Sequence, residues 1–120
     1  MTDAVFVTGL SLHAYHGVMH HEARVGQTFG LDLVLDTDLT DASRSDKLAD
    51  TVGYDQVVEI ASKAFSARRY RLVEAAAGAV AAAVLDRFPR VARVRVTVHK
   101  PHAPIAATFA DVGVTIMRAR

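Results

Sequence analysis

The chain has 120 residues, 51% of them hydrophobic, and its 14 Lys and Arg nearly balance its 13 Asp and Glu. This length suits one domain over residues 1–120, and the even charge lacks the basic stripe that usually marks a nucleic-acid partner. The sequence contains no cysteine, which excludes disulfides, thiolate metal sites and cysteine nucleophiles.

The sequence predicts a cytoplasmic protein with no membrane partner. Its first residues, MTDAVFVTGL, include an aspartate where a secretion signal would be basic, and their apolar run is short for such a signal. The longest uncharged apolar stretch, residues 75–85, falls well short of the ~20 residues that a membrane-spanning helix needs.

Two β-strands are predicted in the N-terminal part of the chain. From Gln27 to Leu39, leucines alternate with aspartates, which is typical of a half-buried strand. Val5 to His13 is its predicted partner strand. The connection between them, residues 14–26, is long for a hairpin and is therefore a candidate binding loop.

Two helices and two further strands follow. Apolar residues recur at helical spacing over residues 55–67 and 73–86, and alternation returns over 91–100 and 108–118. The order ββααββ predicts an α+β fold, a four-stranded antiparallel sheet with two helices on one face. Because the other face carries Asp, Arg and Thr, it would meet water or line the polar tunnel of a ring of subunits.

Four motifs of the sequence carry a family resemblance. AYHGVMHHEARVGQTF, DKLADTVGYDQV, RLVEAA and VTVHKPHAPI follow one another from the first predicted strand to the third. Together they resemble the dihydroneopterin aldolase family of folate biosynthesis. The resemblance implies the tunnelling fold, in which ββααββ subunits form tetrameric rings, two rings stack into an octamer, and active sites lie between neighbouring subunits. It also implies cleavage of the pterin 7,8-dihydroneopterin into 6-hydroxymethyl-7,8-dihydropterin and glycolaldehyde.

Retro-aldol cleavage of such a substrate places limited demands on the protein. The reaction needs a base for the hydroxyl proton, a sink for the released electron pair, and an acid for the resulting carbon. The ring C=N bond of the dihydropterin is the sink, and it does the work of the lysine Schiff base or zinc ion of other aldolases. We therefore predict positioned proton carriers, no cofactor and no metal.

Lys100 is the predicted proton carrier. Its position at a strand end is equally that of an ordinary solvated lysine, and a free lysine, with a pKa near ~10.4, is a poor base at neutral pH. Pro101 and Pro104 stiffen its surroundings. In the resembled family, the lysine of the KP..PI motif is the general acid/base, and Lys100 occupies that place.

Glu74 is the predicted anchor of the pterin ring. A carboxylate in the first turn of a helix is also favoured by the helix dipole alone. However, a pterin presents a ring N–H and an exocyclic amine side by side, and a carboxylate can accept both hydrogen bonds together. The resemblance assigns this role to Glu74, with Val73 supplying a backbone contact.

Three more site residues follow from the resemblance. Tyr54, which could merely cover the apolar face of a helix, would line the site from the adjacent subunit and relay a proton to the cleaved carbon, with Val52 offering backbone groups. Glu22, by itself typical of a solvated loop, would orient the diol and pair with Lys100. Such pairing would raise the lysine pKa and desolvation would lower it, and the sequence leaves that balance open. The YHG motif at residues 15–17 is predicted to shape the loop that presents Glu22.

Several alternatives remain open at this point. The six histidines suggest a metal site, although the sequence has no H-E-x-x-H motif and no cysteine. Arg68, Arg69 and Arg71 would be phosphate ligands if the protein were a dihydroneopterin triphosphate epimerase of the same fold. A non-catalytic oligomeric pterin-binding protein is a third alternative. The aldolase itself would epimerise 7,8-dihydroneopterin to 7,8-dihydromonapterin if glycolaldehyde were recaptured on the other face of the intermediate.

Overall fold

The computed structural model describes residues 3–120, and it contains one four-stranded antiparallel sheet with helices packed on one face. Met1 and Thr2 of the predicted domain lie outside the described residues. The strands, which neighbour one another in chain order, are β1 (Ala4–Ala14), β2 (Gln27–Asp36), β3 (Arg93–His99) and β4 (Gly113–Ala119). The helices are α1 (His20–Val25), α2 (Thr40–Ser45), α3 (Tyr54–Phe65) and α4 (Val73–Arg87), with a 3₁₀ turn at Leu48–Asp50. The predicted α+β sheet and its ββααββ order are confirmed.

None of the helices within residues 3–120 combines the length and the apolar character that a membrane crossing requires.

The chain departs from the predicted β2 strand before Leu39. The strand ends at Asp36. Thr37 N–H still donates to the backbone carbonyl of Asp3 at 3.1 Å, but the N–H groups of Leu39 and Thr40 bond to side chains rather than to a neighbouring strand. Leu39 N–H donates to Asp3 at 3.1 Å, and Thr40 N–H donates to the Asp38 side chain at 2.9 Å. An aspartate that bonds the backbone two residues on favours a turn, and here it leads into the unpredicted helix α2.

Helix α1 forms inside the connection that was predicted to be a loop. Its third residue, Glu22, accepts the N–H of Met19, the residue before the helix, at 3.2 Å. This bond satisfies one of the amides that a helix start leaves unpaired. The long connection is therefore a short helix that carries a predicted site residue. In contrast, β4 begins at Gly113, later than predicted, because residues 100–112 form a loop.

The face of the sheet toward the helices is apolar along β2 and β3. Cross-strand partners on this face are both apolar, as in Leu33 with Val96, and burying such a side chain contributes about 1.5–3 kcal/mol. Helix α4 packs on this face through alanines and valines, whose small side chains allow close approach. The fully buried residues of the two strands are Phe29, Leu31, Leu33, Leu35, Val94, Val96 and Val98.

A β-bulge keeps the apolar residues of β1 on the same face. Thr8 and Gly9 together stand opposite the single residue Asp32 of β2. Gly9 has a φ of 70°, which favours glycine, and its N–H donates to the Asp32 carboxylate at 2.7 Å. Because the extra residue shifts the alternation, Val7 before the bulge and Leu10 after it both face the core.

The outer face of the sheet is polar in part, which corrects the prediction of a uniformly polar surface. Arg93 of β3 forms an ion pair with Asp36 of β2 at 2.7 Å, as expected for a polar face. However, Phe6 and Met117 also lie on this face, and they are 67% and 40% exposed.

Helices α3 and α4 are antiparallel and give the molecule two distinct ends. Arg87 in the last turn of α4 donates to Gln56 in the first turn of α3 at 3.3 Å. We call the end with Lys100, Glu22 and the start of α4 the lysine end. The end with Tyr54, at the start of α3, is the tyrosine end. The 12 residues of α3 separate the two ends by about 18 Å.

Candidate active site

Lys100 and Glu22 form a nearly buried ion pair at the lysine end. The Nζ of Lys100 lies 2.8 Å from Oε2 of Glu22, and the two side chains are 14% and 2% exposed. Lys100 directly follows β3, and its N–H donates to the carbonyl of Val112 at 2.7 Å, which fixes its backbone. Glu22 is therefore not the solvated loop residue that its sequence position alone would indicate.

Three donors hold the carboxylate of Glu22. Besides Lys100, these are the Met19 N–H at 3.2 Å and the Gln27 side-chain amide at 3.1 Å. Burial alone would raise the pKa of Glu22, but the bonds from these three donors outweigh it and hold the pKa below its ordinary value. The carboxylate is thus ionised at neutral pH. Within the described residues, the Gln27 Oε1 atom is buried without a partner.

Gly17 makes room for the Glu22 carboxylate. Its φ is 147°, a conformation that side chains rarely adopt. A Cβ atom built at this position would overlap all three carboxyl atoms of Glu22. Glycine is therefore required here both for the backbone and for the position of the glutamate.

His16 fastens the loop at residues 15–17 to the connection between α3 and α4. The N–H of Tyr70 donates to Nδ1 of His16 at 3.0 Å, so Nε2 carries the hydrogen and donates to the Phe65 carbonyl at 2.7 Å. The side chain is 1% exposed. Burial lowers the pKa of His16, and the nearby positive charge of Lys100 acts in the same direction. His16 is therefore neutral, with a defined tautomer.

The arginine cluster considered as a phosphate site has partners within the protein. Arg69 donates to two backbone carbonyls of the loop at residues 15–17. The Arg68 guanidinium lies 4.1 Å from the centroid of the Tyr70 ring, within the range of a cation–π contact. Of the three arginines, Arg71 is exposed and makes no such contact among the described residues.

The other predicted site residues lie at both ends of the molecule. Glu74 is exposed in the first turn of α4, next to the half-buried Val73, at the lysine end. Tyr54 is 70% exposed at the start of α3. Val52, which is buried, precedes it at the same tyrosine end. Within one chain, the structure thus brings Glu22 to Lys100 but leaves Tyr54 and Val52 apart from them.

Two residues that contact the ion pair were missed by the sequence analysis. Gln27 bonds to Glu22, and the Phe29 ring centroid lies 5.9 Å from Nζ of Lys100, near the limit of a cation–π contact. Both belong to the end of the first motif. Phe29 lies on the buried face of β2, and the alternation of a strand does not reveal which polar group a core ring contacts.

The described histidines do not assemble a metal centre. Among residues 3–120, no group of three or more His, Asp and Glu side chains is placed to hold a metal ion. His16 bonds to backbone groups, and His99 bonds to Asp32 and Asp111.

Comparison with known proteins identifies the family to which the chain belongs. The family model of FolB, dihydroneopterin aldolase, matches residues 5–117 and so includes all four motifs. The chain belongs to the dihydroneopterin aldolase family. The dihydroneopterin aldolase of Methylorubrum extorquens is 42% identical over 120 residues, which cover 100% of this chain and 92% of the relative. That of Streptococcus pyogenes serotype M18 is 34% identical over 118 residues, covering 98% of this chain and 99% of the relative.

A solved structure of E. coli dihydroneopterin aldolase, in complex with neopterin, has the same fold. Its TM-score is 0.89 at 34% identity, and the match covers 98% of this chain and 99% of that chain. The similarity confirms the tunnelling fold predicted for the subunit. As a member of the dihydroneopterin aldolase family, the protein is an enzyme of the lyase class.

Proposed function

We propose that the protein cleaves 7,8-dihydroneopterin into 6-hydroxymethyl-7,8-dihydropterin and glycolaldehyde, with Lys100 as the proton carrier. The observation that carries this proposal is the nearly buried Lys100–Glu22 pair, whose charged atoms are 2.8 Å apart. Removing two charges from water is costly, so a lysine with no task would be cheaper to leave in solvent. The family supplies the reaction class, and the pair supplies a held amine that can perform it.

The proposed reaction balances without a metal or a Schiff base. The side-chain hydroxyl gives its proton to Lys100 in its uncharged amine form, the oxygen forms the carbonyl of glycolaldehyde, and the carbon–carbon bond breaks. Its electron pair moves into the ring C=N bond of the substrate, where other aldolases use a lysine imine or zinc. The carbon that remains on the ring then takes a proton that the Tyr54 hydroxyl relays from Lys100, and the amine returns to its uncharged form. Glu22 orients the diol and holds Lys100 within reach of it.

In this proposal, Tyr54 and Val52 act from a neighbouring subunit. Within one chain, Tyr54 and Lys100 lie at opposite ends of α3, a helix about 18 Å long, whereas proton transfer needs contact at roughly 3 Å. A cleft of about 310 Å³ beside Tyr54 is lined by Val52, Gly53 and Phe88, among others. If the tyrosine end of one subunit meets the lysine end of the next, the head-to-tail contacts close a ring. We infer tetrameric rings that stack into an octamer, with the tyrosine hydroxyl relaying a proton to the cleaved carbon.

Glu74 and Val73 hold the pterin ring in this proposal. The Glu74 carboxylate is exposed at the lysine end and makes no hydrogen bond or ion pair with any other described side chain. It is therefore available to accept the ring N–H and the exocyclic amine together. The neopterin bound to the E. coli relative supports a pterin as the ligand class.

We also propose an epimerase side activity at the same site. Recapture of glycolaldehyde on the other face of the intermediate would give 7,8-dihydromonapterin. A dedicated triphosphate epimerase is less well supported, because Arg69 and Arg68 already have protein partners. A non-catalytic pterin-binding protein would have no use for a buried lysine–glutamate pair.

A product assay tests the proposal. The protein is incubated with 7,8-dihydroneopterin, with and without a chelator, and in parallel with dihydroneopterin triphosphate, and the products are separated by chromatography. We expect 6-hydroxymethyl-7,8-dihydropterin in both conditions and its loss in Lys100→Ala. Activity abolished by the chelator would overturn the metal-free mechanism. Conversion of the triphosphate alone would favour the epimerase, and wild-type turnover by Lys100→Ala would remove the lysine from the reaction.

A further inference from the structure

His99, the last residue of β3, is held between two carboxylates on the outer face of the sheet. Its Nε2 lies 2.7 Å from Oδ2 of Asp32 on β2. Its Nδ1 lies 2.6 Å from Oδ2 of Asp111, near the end of the loop at residues 100–112, which we call the lysine loop. The side chain is only 34% exposed. Because side chains alternate along a strand, His99 and Lys100 project to opposite faces, and the mechanism above does not use His99.

Both contacts are hydrogen bonds only if the imidazole carries two hydrogens. A neutral imidazole has one N–H donor and one lone pair, whereas an ionised carboxylate only accepts. Asp32 is kept ionised, because the N–H of Gly9 and the His99 ring both donate to it and lower its pKa. In turn, the bonds to Asp32 and Asp111 raise the pKa of His99. The geometry is therefore that of an imidazolium between two carboxylates.

The elements packed against His99 present no further charge to it among the described residues. Its cross-strand partners are Gly30 on β2 and Gly113 on β4, and neither has a side chain. The charged groups that act on the ring are Asp32 and Asp111.

This cluster closes the neck of the lysine loop. The backbone bond from Lys100 to Val112, at 2.7 Å, joins the two sides of the loop at its base. His99 directly precedes Lys100, and Asp111 directly precedes Val112. The His99–Asp111 bond is therefore a second bond across the same neck. The bond from His99 to Asp32 then ties the neck to β2. The backbone that carries Lys100 is thus fixed from the side opposite Glu22.

We propose that His99 is a positioning residue for Lys100, which as an imidazolium clamps the neck of the lysine loop to β2. This inference rests on the proposed role of Lys100. When His99 loses a proton, one ring nitrogen no longer carries a hydrogen. Its lone pair then faces the lone pairs of a carboxylate oxygen and is repelled by them, and the neck opens. The lysine then departs from its place beside Glu22, while the pterin anchor on α4 is unaffected. The rate of cleavage should therefore fall as the pH rises through the pKa of His99, and pterin binding should not.

The first test replaces His99 with glutamine, whose amide can donate to only one of the two carboxylates at a time. Single-turnover rates are measured from about pH 6 to about pH 9, the range in which a histidine with a raised pKa titrates. The wild type should lose rate on the alkaline side. His99→Gln should have a rate about tenfold below the acid-side rate of the wild type at every pH, so that the two proteins converge on the alkaline side, since misplacing a catalytic group by 1 Å can cost up to about a hundredfold. The dissociation constant for neopterin should change by less than about twofold, because the lost interaction acts in the transition state.

Arg93→Gln is the matched control. It removes the ion pair with Asp36, which joins the same two strands on the same face but at the tyrosine end. We expect this variant to keep the rate and the pH profile of the wild type. The ring ¹⁵N signals of His99 should titrate together with the alkaline loss of rate.

Asp111→Asn provides a second variant should His99→Gln fail to fold. Loss of this carboxylate lowers the pKa of His99, so the alkaline loss of rate should move to lower pH. A wild-type pH profile in His99→Gln, or an unmoved one in Asp111→Asn, would show that the inference is wrong. In contrast, wild-type turnover by Lys100→Ala would refute the proposed function, and it is measured independently of the His99 variants.

Discussion

The carboxylate of Glu22 on α1 and the ammonium of Lys100 at the end of β3 meet at 2.8 Å, and both are nearly shielded from solvent. Removing one member of a buried pair leaves the other charge without compensation. Stability and catalysis should therefore respond differently when the two members are removed singly and together.

Lys100→Met should lower the free energy of unfolding by about 3 kcal/mol at neutral pH, the lower end of the cost of an unpaired buried charge. The double variant Lys100→Met with Glu22→Gln should regain most of that stability, because no charge remains buried, and it should still lack activity. Urea unfolding at a fixed protein concentration, together with the product assay, measures both effects. A single variant as stable as the wild type would mean that the pair is not buried as described.

Gly17→Ala should displace Glu22 and reduce turnover at least about tenfold, since small displacements of catalytic groups are costly. The control is Gly78→Ala in the interior of α4, where an added Cβ meets nothing within 4 Å. That same chemical change should stabilise the protein by about 0.5–1 kcal/mol, because glycine is a poor helix former. Turnover measurements should show the loss in Gly17→Ala only, and thermal melting should show the gain in stability in Gly78→Ala. Unimpaired turnover in Gly17→Ala would contradict the tight contact with Glu22.

His16 should make the protein less stable at mildly acidic pH. Burial lowers its pKa from the ordinary 6.5, so its contribution is fully present above that value and is lost as the pH falls through the folded-state pKa. The sign is opposite for His99, whose raised pKa makes its contribution fully present below 6.5 and lost as the pH rises. Unfolding curves across this range measure both effects. In His99→Gln only the acid-side loss should remain, and ¹⁵N spectra should show the His16 hydrogen on Nε2.

Glu74→Gln should weaken pterin binding about ten- to a hundredfold, since a charge-assisted hydrogen bond contributes about 1.5–3 kcal/mol. The melting temperature should not change, because Glu74 is exposed. Glu59→Gln, an equally exposed site on α3, is the control and should bind like the wild type. Titration calorimetry measures the affinity of each variant for neopterin. Equal affinity for both variants would exclude Glu74 as the anchor.

Mixing two inactive variants should restore activity if Tyr54 and Lys100 of one site come from different chains. When Tyr54→Ala and Lys100→Ala chains associate at random in a head-to-tail ring, about a quarter of the sites receive both wild-type residues. Turnover of the mixture should rise toward about a quarter of the wild-type value once subunits have exchanged. No recovery after exchange has been verified by mass spectrometry would contradict a shared site.

The departures from the predicted fold lie where a local bond competes with a periodic pattern. Leu39 continues the apolar alternation of β2, yet the Asp38 side chain bonds the backbone of Thr40 and turns the chain into α2. The bulge in β1 had a signal that was not used, since the apolar positions change phase between Val7 and Leu10. Helix α1 has six residues, fewer than two helical turns, and so carries too few apolar residues to produce a period.

The sequence by itself determined the order of the four strands and the two long helices, the core faces of β2 and β3 and the place of Lys100 at a strand end, because periodicity and chain order are local properties. Only the tertiary structure decided three relationships. It brought Lys100 into contact with Glu22, placed His99 between Asp32 and Asp111, and separated Tyr54 from Lys100. Each depends on strand register, such as the pairing of His99 with Gly30, or on the antiparallel packing of α3 and α4. Register and packing come from contacts between residues distant in the chain, and no short stretch of sequence records them.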